Sequence, residues 1–138
     1  MKDSDFRALA DFRYHIRRYL DLSDRSAIAA GVEPKQYQLL LAIRGLPPDI
    51  EPTVGNIAQS LHTRHNSTVE LLDRAETNNF VTRERVGGRV FVQLTSRGER
   101  FLQRIVAGRL RDLRAAGPDL AQTLNKLMQQ TSGDRKKR

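Results

Sequence analysis

Apolar residues near the start of the chain recur at three- to four-residue steps. Phe6, Leu9, Ile16 and Leu20, with Phe12 and Tyr19 beside them, predict an amphipathic helix from Ser4 to about Leu22, and Arg7, Arg13, Arg17 and Arg18 fall on its other face. Gly31 interrupts the pattern. Pro34 then suits the first turn of a second helix that runs to Arg44 on Tyr37, Leu40, Leu41 and Ala42. Gly45 and Pro47-Pro48 stop it. Thr53 is placed to cap a short helix that buries Val54, Ile57, Ala58 and Leu61. After His62, either Thr63 or Ser67 is placed to cap another, from about Arg64 to Asn78, with Val69, Leu72 and Ala75 inward. Asn78-Asn79 ends it, because asparagine tolerates the left-handed backbone of many helix ends.

From Val81 the period changes to two. The runs Val81 to Val86 and Arg89 to Leu94 flank Gly87-Gly88, the signature of a hairpin closed by a two-residue turn. Such a turn sets Val86 opposite Arg89 and Arg85 opposite Val90. Val81, Arg83, Arg85, Val90, Val92 and Leu94 then share one face, and Thr82, Glu84, Val86, Arg89, Phe91 and Gln93 the other. Thr95 caps a following helix with the stripe Phe101, Leu102, Ile105, Val106, Leu110 and Leu113. Gly117-Pro118 is expected to separate it from a last helix bearing Leu120, Leu124, Leu127 and Met128.

Helix, helix, two short helices across a tight turn, hairpin and long helix is the order of a winged helix-turn-helix. The expected class is therefore mainly α (α+β), with a two-stranded β-hairpin wing and long helices at both ends. In this architecture the second short helix enters the major groove of duplex DNA and the hairpin reaches the adjacent backbone or minor groove. The start of that helix offers Thr63, Arg64, His65, Asn66, Ser67 and Thr68, a run of donors and acceptors suited to base edges and phosphates. Arg64 and Asn66 are nominated for base edges, Thr63, Ser67 and Thr68 for phosphates. Arg83, Arg85 and Arg89 on the hairpin are nominated as wing contacts. Each residue also has an ordinary use: Thr63 and Ser67 as caps, the strand arginines lying over apolar neighbours, and Phe91 packed on the body.

Composition agrees with a polyanionic partner. The 138 residues hold 24 Lys and Arg against 16 Asp and Glu, a formal charge of +8. The terminal Arg135-Lys136-Lys137-Arg138 belongs to a basic tail, 132–138, expected to be disordered, and its removal still leaves about +4. One domain is the expectation at this length. The absence of cysteine excludes disulfides, thiolate zinc and thiol redox sensing by the chain. No apolar run approaches the ~20 residues of a membrane span, and the polar start Met1-Lys2-Asp3-Ser4-Asp5 does not open a signal peptide, so a soluble, cytoplasmic protein is expected. An enzyme is disfavoured: there is no phosphate loop and no G-x-S-x-G, and His62 and His65 have metal-like spacing but no third ligand. No cofactor is implied. The alternative is a winged-helix module that binds protein, or nucleic acid without sequence preference. The basic residues around the helix start and hairpin favour duplex DNA, and only 6% of the residues are aromatic, which weighs against single strands.

From about Val32 to Leu102 the chain resembles the MarR family of bacterial transcriptional regulators. The resemblance rests on Thr53-Val-Gly-Asn-Ile-Ala-Gln-Ser-Leu61, Arg64-His-Asn-Ser-Thr-Val-Glu-Leu-Leu-Asp-Arg74, Phe80-Val-Thr-Arg83 and Leu94-Thr-Ser-Arg-Gly98. It implies a core at 32–98 and a homodimer joined by helices at 4–30 and 99–131. It also implies a near-palindromic operator, a repressor's role and a small-molecule effector that weakens DNA binding. The apolar stripes at both chain ends, lying outside the core, independently call for burial against a second copy. Where the family places its effector, Tyr14, His15, Arg18 and Tyr37 are the candidates by position. The chain departs from the family at Asn79, usually glycine, and in the wing, where Val86 and Gly88 stand at positions that usually carry Asp and Arg. Arg85 and Arg89 are the nominated substitutes.

Overall fold

A computed structural model describes the backbone of residues 1–136 and the side chains of residues 1–129. Its elements are α1 (Asp3–Ala29), α2 (Pro34–Arg44), α3 (Val54–Leu61), α4 (His65–Thr77), β1 (Val81–Val86), β2 (Arg89–Leu94) and α5 (Ser96–Lys136). This is the expected winged helix-turn-helix, with long helices at both ends. Lys137 and Arg138, the end of the predicted basic tail, lie outside the described residues. The fold has two compact units, one spanning Ala27–Val106 and the other built from Met1–Ser26 and the chain from Ala107 onward.

In the first unit, α2, α3, α4 and the hairpin surround one apolar core. Leu39 and Leu40 of α2, Ile57 of α3, Leu72 of α4 and Val81 of β1 are fully buried, joined by Val92, Leu102 and Phe80. Each buried Leu or Ile side chain contributes about 1.5–3 kcal/mol of transfer free energy. One polar pin crosses this core: buried Gln36 donates its Nε2–H to the carbonyl of Leu71 at 3.0 Å, tying α2 to α4. No helix among the described residues is long and apolar enough to cross a membrane.

The punctuation between elements follows specific side chains. The Thr53 hydroxyl accepts the Asn56 N–H at 3.2 Å and starts α3, as expected. His62 ends α3 in the left-handed region, with φ 52°. The cap expected of Thr63 or Ser67 is not formed. Arg64 occupies the N-cap of α4 without a side-chain cap bond, while the Thr63 hydroxyl donates to the Leu61 carbonyl at 3.1 Å. The tight reversal at His62 turns Thr63 back onto α3, and Ser67 lies within the first turn of α4. Asn79 takes the left-handed backbone expected of it, with φ 61°.

The hairpin has the predicted register, from Val81 opposite Leu94 to Val86 opposite Arg89. Of the two turn glycines only Gly87 has positive φ, 64°, the sign pattern of a type II′ turn. The segment before α3 extends this small sheet. The Val92 N–H donates to the Pro52 carbonyl at 2.8 Å, and Thr53 bridges Phe91.

The expected break at Gly117-Pro118 does not occur; α5 runs through Pro118. Proline removes one N–H bond and crowds the preceding turn, at about 3 kcal/mol or more in a helix interior. The favourable helix formers Ala115, Ala116, Leu120 and Ala121 on either side work against that cost. Thr123 is buried and donates its hydroxyl back to the Leu120 carbonyl at 2.9 Å.

At the base of the hairpin, Thr95 has two bonds through one hydroxyl. It donates to the Asn79 carbonyl at 2.6 Å and accepts the Gly98 N–H at 3.0 Å, capping α5 as predicted. Its own N–H donates to the Phe80 carbonyl at 3.0 Å. A Cβ at Gly98 would lie 2.1 Å from that carbonyl oxygen, so only glycine lets the first turn of α5 sit here. Gly98→Ala is expected to lower stability by about 1–3 kcal/mol through overpacking. Urea unfolding checks this; an unchanged midpoint would show that the junction relaxes freely.

Candidate nucleic-acid interface

α4 begins with exposed polar residues and buries Leu71, Leu72 and Ala75 further along. Arg64, His65, Asn66 and Ser67 are exposed, and their side chains make no hydrogen bond or ion pair with any described residue. The first turn of α4 contains no acidic residue, so the partial positive charge of its N-terminal N–H groups is unopposed. Thr63 is half-buried. Thr68, nominated with them, is fully buried and donates its hydroxyl to the Arg64 carbonyl at 3.1 Å. It shapes the first turn and offers no surface to a partner, a correction that follows from its place on the inward stripe one turn before Leu72.

The hairpin arginines divide in the same way. Arg83 lines the same groove as Arg85 and Arg89, and two carboxylates hold it. Its Nη2 lies 2.7 Å from Asp73 Oδ1 and 3.1 Å from Glu76 Oε1, and its Nε donates to Glu76 Oε2 at 3.2 Å. The hydrogen bond from Arg83 is the main reason the Glu76 carboxyl is held below its usual range, with slight burial opposing it. This clamp sets β1 against the C-terminal half of α4. Arg89 lies 5.1 Å over the Phe91 ring and pairs with Glu51 at 2.6 Å, while remaining well exposed. Arg85 is exposed and has no partner among the described residues.

A groove of about 490 Å³ opens between these elements, with His65 and Val69 of α4 on one side, Arg85 and Arg89 on the other, and Thr53 and Gly55 at its end. The arrangement presents cationic and neutral hydrogen-bond donors along one surface, the chemistry that phosphate and base edges take. Glu51 and Gly55 had not been nominated. Gly55 follows the Thr53 cap and was within reach of a sequence reading. The Glu51–Arg89 pair spans two distant segments and carried no local signal.

Of the effector candidates, Tyr37 belongs to the first unit and Tyr14, His15 and Arg18 to the helical unit. Neither this groove nor the concavity lined by Phe80 and Arg97 includes any of them. Tyr37 packs against the core clusters. In the helical unit, Tyr14 is exposed and meets the His15 ring edge-on at 5.2 Å, His15 lies 3.5 Å from Asp11, and Arg18 lies 3.7 Å from Asp119.

The fold and this face define a winged helix-turn-helix protein. Neither a protein-family model nor a curated protein sequence matches the chain. Solved structures do. The chain is similar to AbsC, a MarR family transcriptional regulator from Streptomyces coelicolor, at 16% identity and a TM-score of 0.77, over 100% of this chain and 98% of that one. It is similar to a MarR family protein from Bacillus stearothermophilus at 23% identity and a TM-score of 0.70, over 96% and 99%. Reduced AbfR bound to DNA matches at 21% identity and a TM-score of 0.58, over 87% and 92%. The chain therefore has the fold of MarR family regulators along nearly its whole length.

The Arg83 clamp makes a pH-dependent contribution with a definite sign. Because the Glu76 carboxyl is depressed, the stabilisation is complete above the ordinary carboxylate range and is lost as pH falls through the folded value. Arg83→Ala is expected to lower Tm by a few degrees at neutral pH, with the gap to the unaltered protein closing in acid. Thermal melts across pH check this; a gap that persists in acid would rule out the carboxylates as its source.

Proposed function

We propose that the chain is a MarR family transcriptional regulator that binds double-stranded DNA as a homodimer. The observation that carries this is the run Arg64 to Ser67, exposed at the N-terminus of α4 and without partners among the described residues, with His65 lining the same groove as Arg85. In a winged helix-turn-helix the N-terminal residues of the second helix reach base edges in the major groove and the hairpin reaches the backbone. Arg64 and Asn66 are the base readers in this proposal, His65 and Ser67 flank them, and Arg85 and Arg89 meet phosphate. Arg89 must exchange Glu51 for the backbone to do so.

A second copy is favoured by the helical unit. Phe6, Leu9, Leu20, Leu124 and Met128 are large apolar side chains each 40% or more exposed in the single chain, a pattern that association would bury. A two-fold dimer presents two α4 helices, which suits a near-palindromic operator with half-sites about 10 bp apart. Repression, and release by a small-molecule effector, enter the proposal through the family resemblance. The absence of acid from the first turn of α4 favours this reading over a protein-binding module.

The test is binding of the purified chain to the DNA flanking its own gene, titrated with salt, with molecular mass measured alongside. Salt-sensitive, sequence-selective binding by a dimer is expected. Arg64→Ala is expected to cost about 1–3 kcal/mol of discrimination at one base position. Arg85→Ala is expected to weaken all sequences alike and reduce the salt slope by about one. Binding indifferent to sequence and to Arg64→Ala would overturn the proposal.

A further inference from the structure

The first unit treats its arginines in two ways. Arg44 is held by Glu99, Arg74 by Glu33, Arg83 by Asp73 and Glu76, and Arg89 by Glu51. Arg64 and Arg85, on the candidate DNA face, have no carboxylate partner among the described residues. Arg97, Arg100 and Arg104 have none either. They line a concavity of about 810 Å³ together with Phe80, Phe101 and Gln103, and no acidic residue among those described lines it.

The geometry of this second group is ordered. Positions 97, 100 and 104 fall at i, i+3 and i+7 of α5, one face of the helix, with about 10 Å of rise between the first and last. The floor is apolar: the Phe80 and Phe101 rings stack at 4.4 Å, and the Arg97 guanidinium lies 5.4 Å from the Phe80 ring centre. Glu99, the nearest acid in sequence, is engaged by Arg44 and by Gln103. Cations crowded on one helix face repel one another unless an anion is shared between them. Each guanidinium offers a planar fork matched to a carboxylate or phosphate.

Two lengths separate this concavity from the DNA face. Phe80 follows the C-terminus of α4, whereas Arg64 stands at its N-terminus, about 20 Å away along a helix of 13 residues. Phe80 also adjoins the base of the hairpin, a strand length of about 20 Å from the Gly87-Gly88 tip. The second group is therefore a separate site, of a size that takes small molecules.

We infer that Arg97, Arg100 and Arg104 form a binding site for a small anion bearing two or more carboxylate or phosphate groups, seated over Phe80 and Phe101. A monovalent anion satisfies one fork; spacing along two helical turns selects a multivalent one. The site stands independently of DNA binding. Phe80 lies between α4 and β1, so an occupant here touches the junction between the two elements of the DNA face.

The probes are pyrophosphate and citrate, titrated calorimetrically into the full-length protein at constant ionic strength. Binding of at least one is expected, and whichever binds more tightly assigns the site to phosphate or carboxylate. Arg100→Ala/Arg104→Ala is expected to weaken it at least about tenfold. Lys35→Ala, which removes one exposed charge elsewhere, should leave it unchanged. Circular dichroism verifies folding, and Arg100→Gln/Arg104→Gln replaces the alanine pair if that variant does not fold. No binding of either probe at millimolar concentration overturns the inference. So does equal weakening by Lys35→Ala, which would mean that net charge alone attracts the anion. Loss of duplex DNA affinity in the double variant, with neither probe bound, would assign these arginines to DNA instead.

Discussion

The Phe80 carbonyl is where the core's elements meet. It accepts the Thr95 N–H, and it occupies the space that a side chain at residue 98 would need. The Phe80 N–H donates to Ala75 in α4, and the Phe80 ring stacks on Phe101 in α5. One residue thus fixes the exit of α4, the start of β1 and the first turn of α5. Left-handed Asn79 bends the chain into this position, and the Thr95 hydroxyl ties the Asn79 carbonyl to the N-terminus of α5. The orientation of the wing toward α4 follows from this junction and from the Arg83 clamp one turn of hairpin away. Both the proposed DNA face and the proposed anion site are held by it at opposite ends.

Charge pairing sorts the basic residues by use. A protein with excess positive charge can spread it evenly over its surface or concentrate it where a partner neutralises it. Here acids are matched to arginines that hold elements together: Glu33 joins Arg74 of α4, Glu99 of α5 joins Arg44 of α2, and Asp73 with Glu76 joins Arg83 of β1. These pairs are largely exposed, and such pairs contribute modestly to stability. Their larger consequence is orientational. The residual charge lies at the start of α4, at the wing and along the first turns of α5, on arginines that have no carboxylate partner among the described residues. Glu51 is the exception, an acid placed on a wing arginine that DNA would also take.

Much of this was legible in the sequence because it is local. Gly87-Gly88 between two alternating runs sets the hairpin register, and Thr53 and Thr95 announce helix starts within a few residues. Asn79 marks a left-handed position where asparagine is tolerated. The rest was not legible, because distance or competition decides it. Thr63 had two local uses, and the turn at His62 selected a bond to α3 over the cap of α4. Thr68 reads as a polar surface residue until the helix phase places it one turn before Leu72. Arg83 has the same composition signal as Arg85; only the return of β1 alongside α4 brings Asp73 and Glu76 to it. At Gly117-Pro118 the local breaker signal does not end the helix, and α5 continues through it. The concavity beside Phe80 joins residues from the start of the hairpin to α5 and has no contiguous motif.

The central claim is that α4 and the wing read duplex DNA by sequence. Its most direct measurement is selection of bound duplexes from a random library by the intact protein, repeated at low and physiological salt. The account predicts enrichment of a near-palindromic sequence with half-sites about one helical turn apart, and binding that falls steeply as salt rises. A library that remains random after repeated selection at both salts would contradict it.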